Sequence, residues 1–305
     1  MRKIFLILVL IVTAGAFNLS YSQIKLITET DSKIKKTYEN YIEKSVNTVT
    51  LYRYDIDSGE VDSESEKISK TFVDLNKNTL TDISYYPNYS KTVVAFNDSK
   101  NISDVSIYYS DNSLMSRVIT KYETDGNVKH KIYYFGNSMT FKTINSYSSG
   151  NLVRQDYVDS LGKNLSYSKL YFDNSNMLIE EDKFNQADSL EIVFQYSYDN
   201  AGNCIEENVN YPGASYTSKI VNKYDDRGNK TESVMYGIGD KITSRSEYKY
   251  DDKSLMTEES TFSIDNKPVT KNEYKYDEYG KKTEWKSYDF KEDLEYLYKI
   301  IYDEK

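Results

Sequence analysis

The chain has 305 residues, with 48 acidic against 39 basic side chains, a formal charge of −9 and a mean hydropathy of −0.71. The negative excess argues against a nucleic-acid partner, whose phosphates require a basic face, and against passive attraction to anionic lipid. One cysteine (Cys204) cannot form an internal disulfide, and with one histidine (His130) it leaves too few ligands for an ordinary zinc site.

In chain order, Met1-Arg2-Lys3 is followed by nine apolar residues, Ile4–Val12, and then by Thr13-Ala14-Gly15-Ala16. A basic start, a short apolar stretch and a small-residue exit predict a cleaved signal peptide over 1–22, with candidate cuts after Ala16 or Ser22. The apolar run is shorter than the ~20 residues a spanning helix needs. No other segment reads as a transmembrane span, so the mature chain is expected in the periplasm, associated with the outer membrane, or outside the cell. Residues 23–47 read as a lead-in with a short helix near 30–45. Asp31 would cap it, and Ile34, Tyr38, Tyr41 and Ile42 would share one face. Such a helix could cover the first edge of a sheet. Strand signals resume at about 48, with Thr48–Leu51, Thr71–Val73, Asp82–Tyr86 and Lys91–Phe96.

Tyrosine is unusually abundant, at 32 residues beside 11 Phe and one Trp. It favours strands and half-buried positions where the hydroxyl stays wet. A repeat accounts for it. Tyr198-Asp199, Tyr224-Asp225, Tyr250-Asp251, Tyr276-Asp277 and Tyr302-Asp303 recur at intervals of 26, after Phe172-Asp173 one step earlier. Looser copies stand at Tyr147 and Tyr122, and a further one at Phe96. Each regular unit brings in a strand with tyrosines two apart, which therefore face the same way. It turns at Asp-x-x-Gly, leaves on a second strand and returns through a looser polar loop. Asp199, Asp225, Asp251 and Asp277 are assigned to holding turn N–H groups, and Gly202, Gly228 and Gly280 to the positive φ at the exit. The fold class expected is all-β: an elongated antiparallel meander of repeated hairpins, with a short N-terminal helix. It would form one continuous domain over 48–305, regular at 172–303 and degenerate at about 96–171. A sheet partly apolar on both faces can also curl.

The segments Tyr198–Asn203 and Tyr224–Asn229 (Tyr-Asp-x-x-Gly-Asn) and Tyr276–Lys281 (Tyr-Asp-x-x-Gly-Lys) resemble the YD repeat of RHS proteins. The family's arginine after the glycine is Asn or Lys here, and Ser254 stands for Gly. The resemblance implies strand-turn-strand architecture and a sheet that coils, and it implies nothing catalytic. The leader, with Ser22-Gln23 at one candidate cut, is similar to those of small secreted Bacteroidetes proteins.

No phosphate loop, dinucleotide-binding glycine pattern or nucleophile elbow is present, so no catalytic residue, metal ligand or cofactor is assigned. The leading expectation is a non-enzymatic exported scaffold or binding module at the cell envelope. Its binding face would carry Tyr196, Tyr198, Tyr248, Tyr250, Tyr274 and Tyr276, offered to a glycan or to another envelope protein. One alternative is an envelope glycan-acting enzyme using carboxylates within 48–170. Another is a structural partner of a larger secreted system.

Overall fold

The computed structural model describes residues 21–43, 45–57, 60–86, 89–214 and 216–304. Most of the expected signal peptide lies outside them. One helix, α1 (Tyr21–Glu43), precedes the strands. The first strands are β1 (Val46–Asp57), β2 (Glu60–Val61), β3 (Glu66–Asp74), β4 (Thr79–Ser84), β5 (Ser90–Phe96), β6 (Ile102–Tyr108), β7 (Leu114–Tyr122), β8 (Val128–Phe135) and β9 (Ser138–Ser148). There follow β10 (Asn151–Asp159), β11 (Asn164–Phe172), β12 (Leu178–Asn185), β13 (Leu190–Tyr198), β14 (Cys204–Tyr211) and β15 (Tyr216–Tyr224). The last are β16 (Lys230–Tyr236), β17 (Ile242–Tyr250), β18 (Met256–Phe262), β19 (Pro268–Tyr276), β20 (Lys282–Tyr288) and β21 (Leu294–Glu304).

The expected open, elongated meander is corrected. Sequential strands do pair antiparallel, but β1 pairs with both β3 and β21. The ladder therefore closes on itself as a 20-stranded antiparallel β-barrel, with β2 a two-residue side pairing of β1. Closure removes the exposed edges that an open sheet presents to other chains. Side chains at the seam agree with it. Thr48 of β1 bonds Asp303 of β21, the Arg53 guanidinium lies over the Tyr296 ring at 4.9 Å, and Lys299 lies over Tyr54 at 4.9 Å. This pairing joins segments far apart in sequence, so no local pattern encodes it.

The chain forms two compact units. One comprises residues up to Leu51, Lys67–Thr143 and the stretch from Ile301; the other comprises Tyr52–Glu66 and Ile144–Ile300. In the first, α1 lies on one face of the sheet and covers no edge. Leu80 stands opposite Val94, and Phe96 opposite Ile102. Tyr38 is 1% exposed among these four and stacks on Phe96 with centroids 3.9 Å apart. Ile34, Tyr41 and Ile42 join the same cluster, so the predicted apolar stripe is the one that packs. Asp31 is inside the helix, not at its cap, and its carboxylate pairs with Lys131 of β8, a buried lysine.

The second unit takes its core from cross-strand aromatic and aliphatic pairs. Tyr167 and Phe184 are opposite each other and stack at 4.8 Å. Phe194, 3% exposed, stands opposite Val209. Its turns correct a second expectation. The expected looser loops at Ser263–Lys267 and Asp289–Asp293 are the same tight turn as Asp-x-x-Gly, whereas Gly237–Lys241 holds a short 3-10 turn. At one rim, Asp225 N–H donates to Asn229 C=O at 2.9 Å and Gly228 N–H to Asp225 C=O at 2.9 Å. At the other rim, Asp289 N–H donates to Asp293 C=O at 2.9 Å and Glu292 N–H to Asp289 C=O at 3.1 Å. Asn185–Ser189 and Ser263–Lys267 repeat the pattern. The physical unit is one strand and one turn. The sequence period is twice as long because the two rims carry different residues.

Candidate functional site

The repeated columns are occupied by strand-to-strand bonds. Asp199, Asp225, Asp251 and Asp277 each accept two backbone N–H groups of their turn, at 2.8–3.0 Å. The bond from Asn203 holds Asp199 below the ordinary carboxylate range, and that from Asn229 does the same for Asp225. Gly202, Gly228 and Gly280 take φ of +84°, +80° and +75° at the turn exit, where Ser254 takes +60°.

Three of the tyrosines expected to bind a ligand are fasteners. Tyr198 donates its hydroxyl to Leu178 C=O at 2.7 Å, Tyr250 to Lys230 C=O at 2.9 Å and Tyr276 to Met256 C=O at 2.7 Å. Tyr122 reaches Ile102 C=O, and Tyr224 reaches Cys204 C=O, at the same offset of 20 residues. Each second tyrosine of Tyr-x-Tyr-Asp thus ties the end of its strand to the start of the strand before it. Burial raises every one of these hydroxyls, with Tyr122 and Tyr198 pushed up to about 12.

Strand register gives β15–β21 two contrasting faces. On one, Lys223 is opposite Glu232, Lys249 opposite Glu258 and Lys275 opposite Glu284. Their ion pairs close at 2.5, 2.9 and 2.8 Å. Arg245 joins Glu232 to Glu247, and Lys271 joins Glu258 to Glu273. The bond from Lys223 holds Glu232 low, and that from Lys271 holds Glu273 low. These pairs join largely exposed lysines to more buried glutamates, so solvent screens them.

The other face is aromatic and polar. Tyr248 is opposite Glu259, Glu259 opposite Asn272, Tyr274 opposite Trp285, and Trp285 opposite Tyr298. Opposed residues share a face, so these side chains form one patch. Trp285 stacks on Tyr298 at 4.3 Å and donates its indole N–H to Asn272 Oδ1 at 2.8 Å. Tyr274 donates to Glu259 Oε2 at 3.2 Å, and burial followed by Glu259 raises its hydroxyl further. Lys282 Nζ lies 3.7 Å above the Tyr274 ring. Burial pushes this ammonium down to about 8, while Glu259 pulls the other way. All six of Tyr248, Glu259, Asn272, Tyr274, Trp285 and Tyr298 are half-buried.

Of the tyrosines named from sequence, this patch brings together Tyr248 and Tyr274. Tyr196 is 6% exposed on β13, four strands from β17. Trp285, Glu259 and Asn272 were not named. They sit on neighbouring strands, and only the register shows that they meet the tyrosines. Elsewhere, His130 is lowered by burial and then by Lys142, Lys129 and Lys121. Cys204 is a half-buried thiol whose S–H donates to Glu206 C=O at 3.5 Å. Within 48–170, Asp82 is raised by burial against its bond from Thr71, and its charge adds to the burial that pushes Tyr41 of α1 up to about 12. Among the described residues, no group of three or more His, Cys, Asp or Glu side chains could hold a metal ion, and no helix is long and apolar enough to cross a membrane.

No model of a known family matches the chain, and no curated protein matches it. Similar solved structures include TcdB2-TccC3 without its hypervariable C-terminal region, at 12% identity and a TM-score of 0.32. That alignment covers 76% of this chain and 16% of the other, so this chain spans less than a fifth of that one. A porin-like protein from Bacteroides uniformis ATCC 8492 is similar at 7% identity and a TM-score of 0.38, over 85% of this chain and 98% of that one. Another porin-like protein, from Bacteroides vulgatus ATCC 8482, is similar at 16% identity and a TM-score of 0.34, over 68% and 98%.

Proposed function

We propose that this is a non-enzymatic, exported envelope protein: a barrel scaffold that binds a saccharide or a saccharide-bearing partner through the aromatic patch of β17–β21. One observation carries the reading. Trp285, Tyr274 and Tyr298 are half-buried on one face, with Glu259 and Asn272 already fixed by hydrogen bonds. Fixed aromatic rings beside oriented polar groups suit a ligand with both apolar ring faces and hydroxyls.

Two of the similar structures are titled porin-like, but a lipid-spanning role does not suit these strands. A spanning barrel turns an apolar band outward, and a Lys or Arg at its midplane costs ~2–4 kcal/mol. Here one face of β15–β21 carries Lys223, Arg245, Lys249, Lys271 and Lys275, and the other carries Glu259, Asn272 and Lys282.

Residues 23–305 should be retained on immobilised envelope glycans. Trp285→Ala should weaken retention at least tenfold, and Tyr250→Phe should leave it intact. Equal retention by wild type and Trp285→Ala would remove the patch from the proposal. Glycan hydrolysis that is abolished by Glu259→Gln would replace binding with catalysis.

A further inference from the structure

In the second unit the strands β10–β21 are joined alternately at two rims, and the two rims differ in polarity. One rim carries the turns after β11, β13, β15, β17 and β19, where the second turn position is Asn174, Asn200, Asp226, Asp252 and Glu278. The opposite rim carries the turns after β10, β12, β14, β16, β18 and β20; among the described residues, those after β12 and β14 show no exposed large apolar side chain, unlike the four after β10, β16, β18 and β20. The tips of these four present Leu161, 92% exposed, Ile238, 69%, Ile264, 59%, and Phe290, 62%. Ile238, Ile264 and Phe290 occupy equivalent positions in successive hairpins. Two strand spacings separate each from the next, roughly 10 Å. An exposed lysine follows each tip within three residues: Lys163, Lys241, Lys267 and Lys291. Lys291 lies over the Phe290 ring at 5.5 Å.

We infer that this rim is a peripheral membrane-docking edge, whose four apolar tips insert into the interface of a lipid bilayer while their lysines reach the headgroups. The arrangement favours lipid over protein on the ground of area. Four separated side chains of roughly 150 Å² each offer about 600 Å² on this side, short of the ~800 Å² per partner that a standard protein interface buries. Isolated fingers standing about 10 Å or more apart among polar turn backbone make poor protein hot spots, which cluster in a contiguous packed centre. A fluid interface accepts each finger independently. Apolar insertion with a neighbouring lysine snorkelling to the headgroup is the side-chain chemistry of interfacial anchors. The acidic residues of the same turns balance the lysines, so docking should depend on the apolar tips more than on lipid charge. The inference does not rest on the saccharide patch.

The test is co-sedimentation of residues 23–305 with vesicles of phosphatidylcholine, alone or with phosphatidylglycerol. The wild-type chain should pellet with both. The triple variant Ile238→Ser, Ile264→Ser, Phe290→Ser should lower the bound fraction at least tenfold, with an unchanged far-ultraviolet spectrum. Tyr279→Ser, on the opposite rim, should bind as wild type. The proposal is overturned if the wild-type chain stays in the supernatant with both vesicles, or if the triple variant pellets like wild type. It is also overturned if velocity sedimentation without lipid shows a dimer that the triple variant dissolves, because the tips would then pack on a second copy.

Discussion

At the scale of single residues, tyrosine does two jobs that composition cannot separate. Tyr248 and Tyr274 belong to the aromatic patch, whereas Tyr250 and Tyr276, two positions further along, end in hydrogen bonds to backbone carbonyls. The alternation placed each pair on one face, which is how the patch was partly legible. The fasteners were not legible, because a 20-residue offset has meaning only once strand pairing is known. A buried hydroxyl-to-carbonyl bond contributes ~0.5–1.5 kcal/mol net. Tyr250→Phe should therefore lower unfolding free energy by about 1 kcal/mol at pH 7 in urea titration. The same residues set an alkaline limit. Hydroxyls raised by folding, such as Tyr122 and Tyr198 at about 12, keep their protons where an unfolded tyrosine, at ~10, has lost them. Their contribution is complete below pH 10 and is lost as pH rises from about 10 towards 12. Removal of one such group should make that decline shallower in Tyr250→Phe than in wild type.

At the scale of elements, the turn was the most readable part of the chain, and only at one rim. Asp-x-x-Gly announces itself because carboxylate and glycine each do one conspicuous thing. Ser263–Lys267 and Asp289–Asp293 build the same geometry with Asn266 and Glu292 at positive φ, of 57° and 65°, so the pattern is hidden in dissimilar residues. The helix was legible from its apolar stripe, but its target was not, since Tyr38 meets Phe96 only through tertiary packing. The exit position of the turn offers a paired test. A β-carbon at Gly228 would meet nothing nearer than Asn203 Oδ1 at 3.6 Å, so Gly228→Ala isolates the left-handed backbone at a cost of about 1–2 kcal/mol. Ser254→Gly, at the same position one hairpin later, should act in the opposite sense by about 0.5–1 kcal/mol. Thermal melting of the two variants reads both signs, and a stabilised Gly228→Ala would refute the assignment.

At the scale of the whole molecule, the closure of β1 onto β21 was the least legible feature, because nothing in either strand names its partner. Closure makes strand number a constraint. Deleting residues 225–250 joins Tyr224 to Asp251, removes β16 and β17 together, and restores a Tyr-Asp turn at the junction. That variant should melt cooperatively as a soluble protein with a lowered midpoint. Deleting residues 237–250 removes β17 alone and reverses the direction of everything after it. It should fail to give soluble folded protein, as judged by gel filtration and circular dichroism.

The seam between first and last strands also bears on how such a chain could have grown. An antiparallel ring accepts new members only in pairs, so a duplication that inserted a single strand would leave the two ends running the same way. The hairpin is then the smallest heritable increment, and the 26-residue spacing of Tyr198, Tyr224, Tyr250 and Tyr276 is the length of that increment. On this view the sequence period records the ring's parity as much as its turn chemistry.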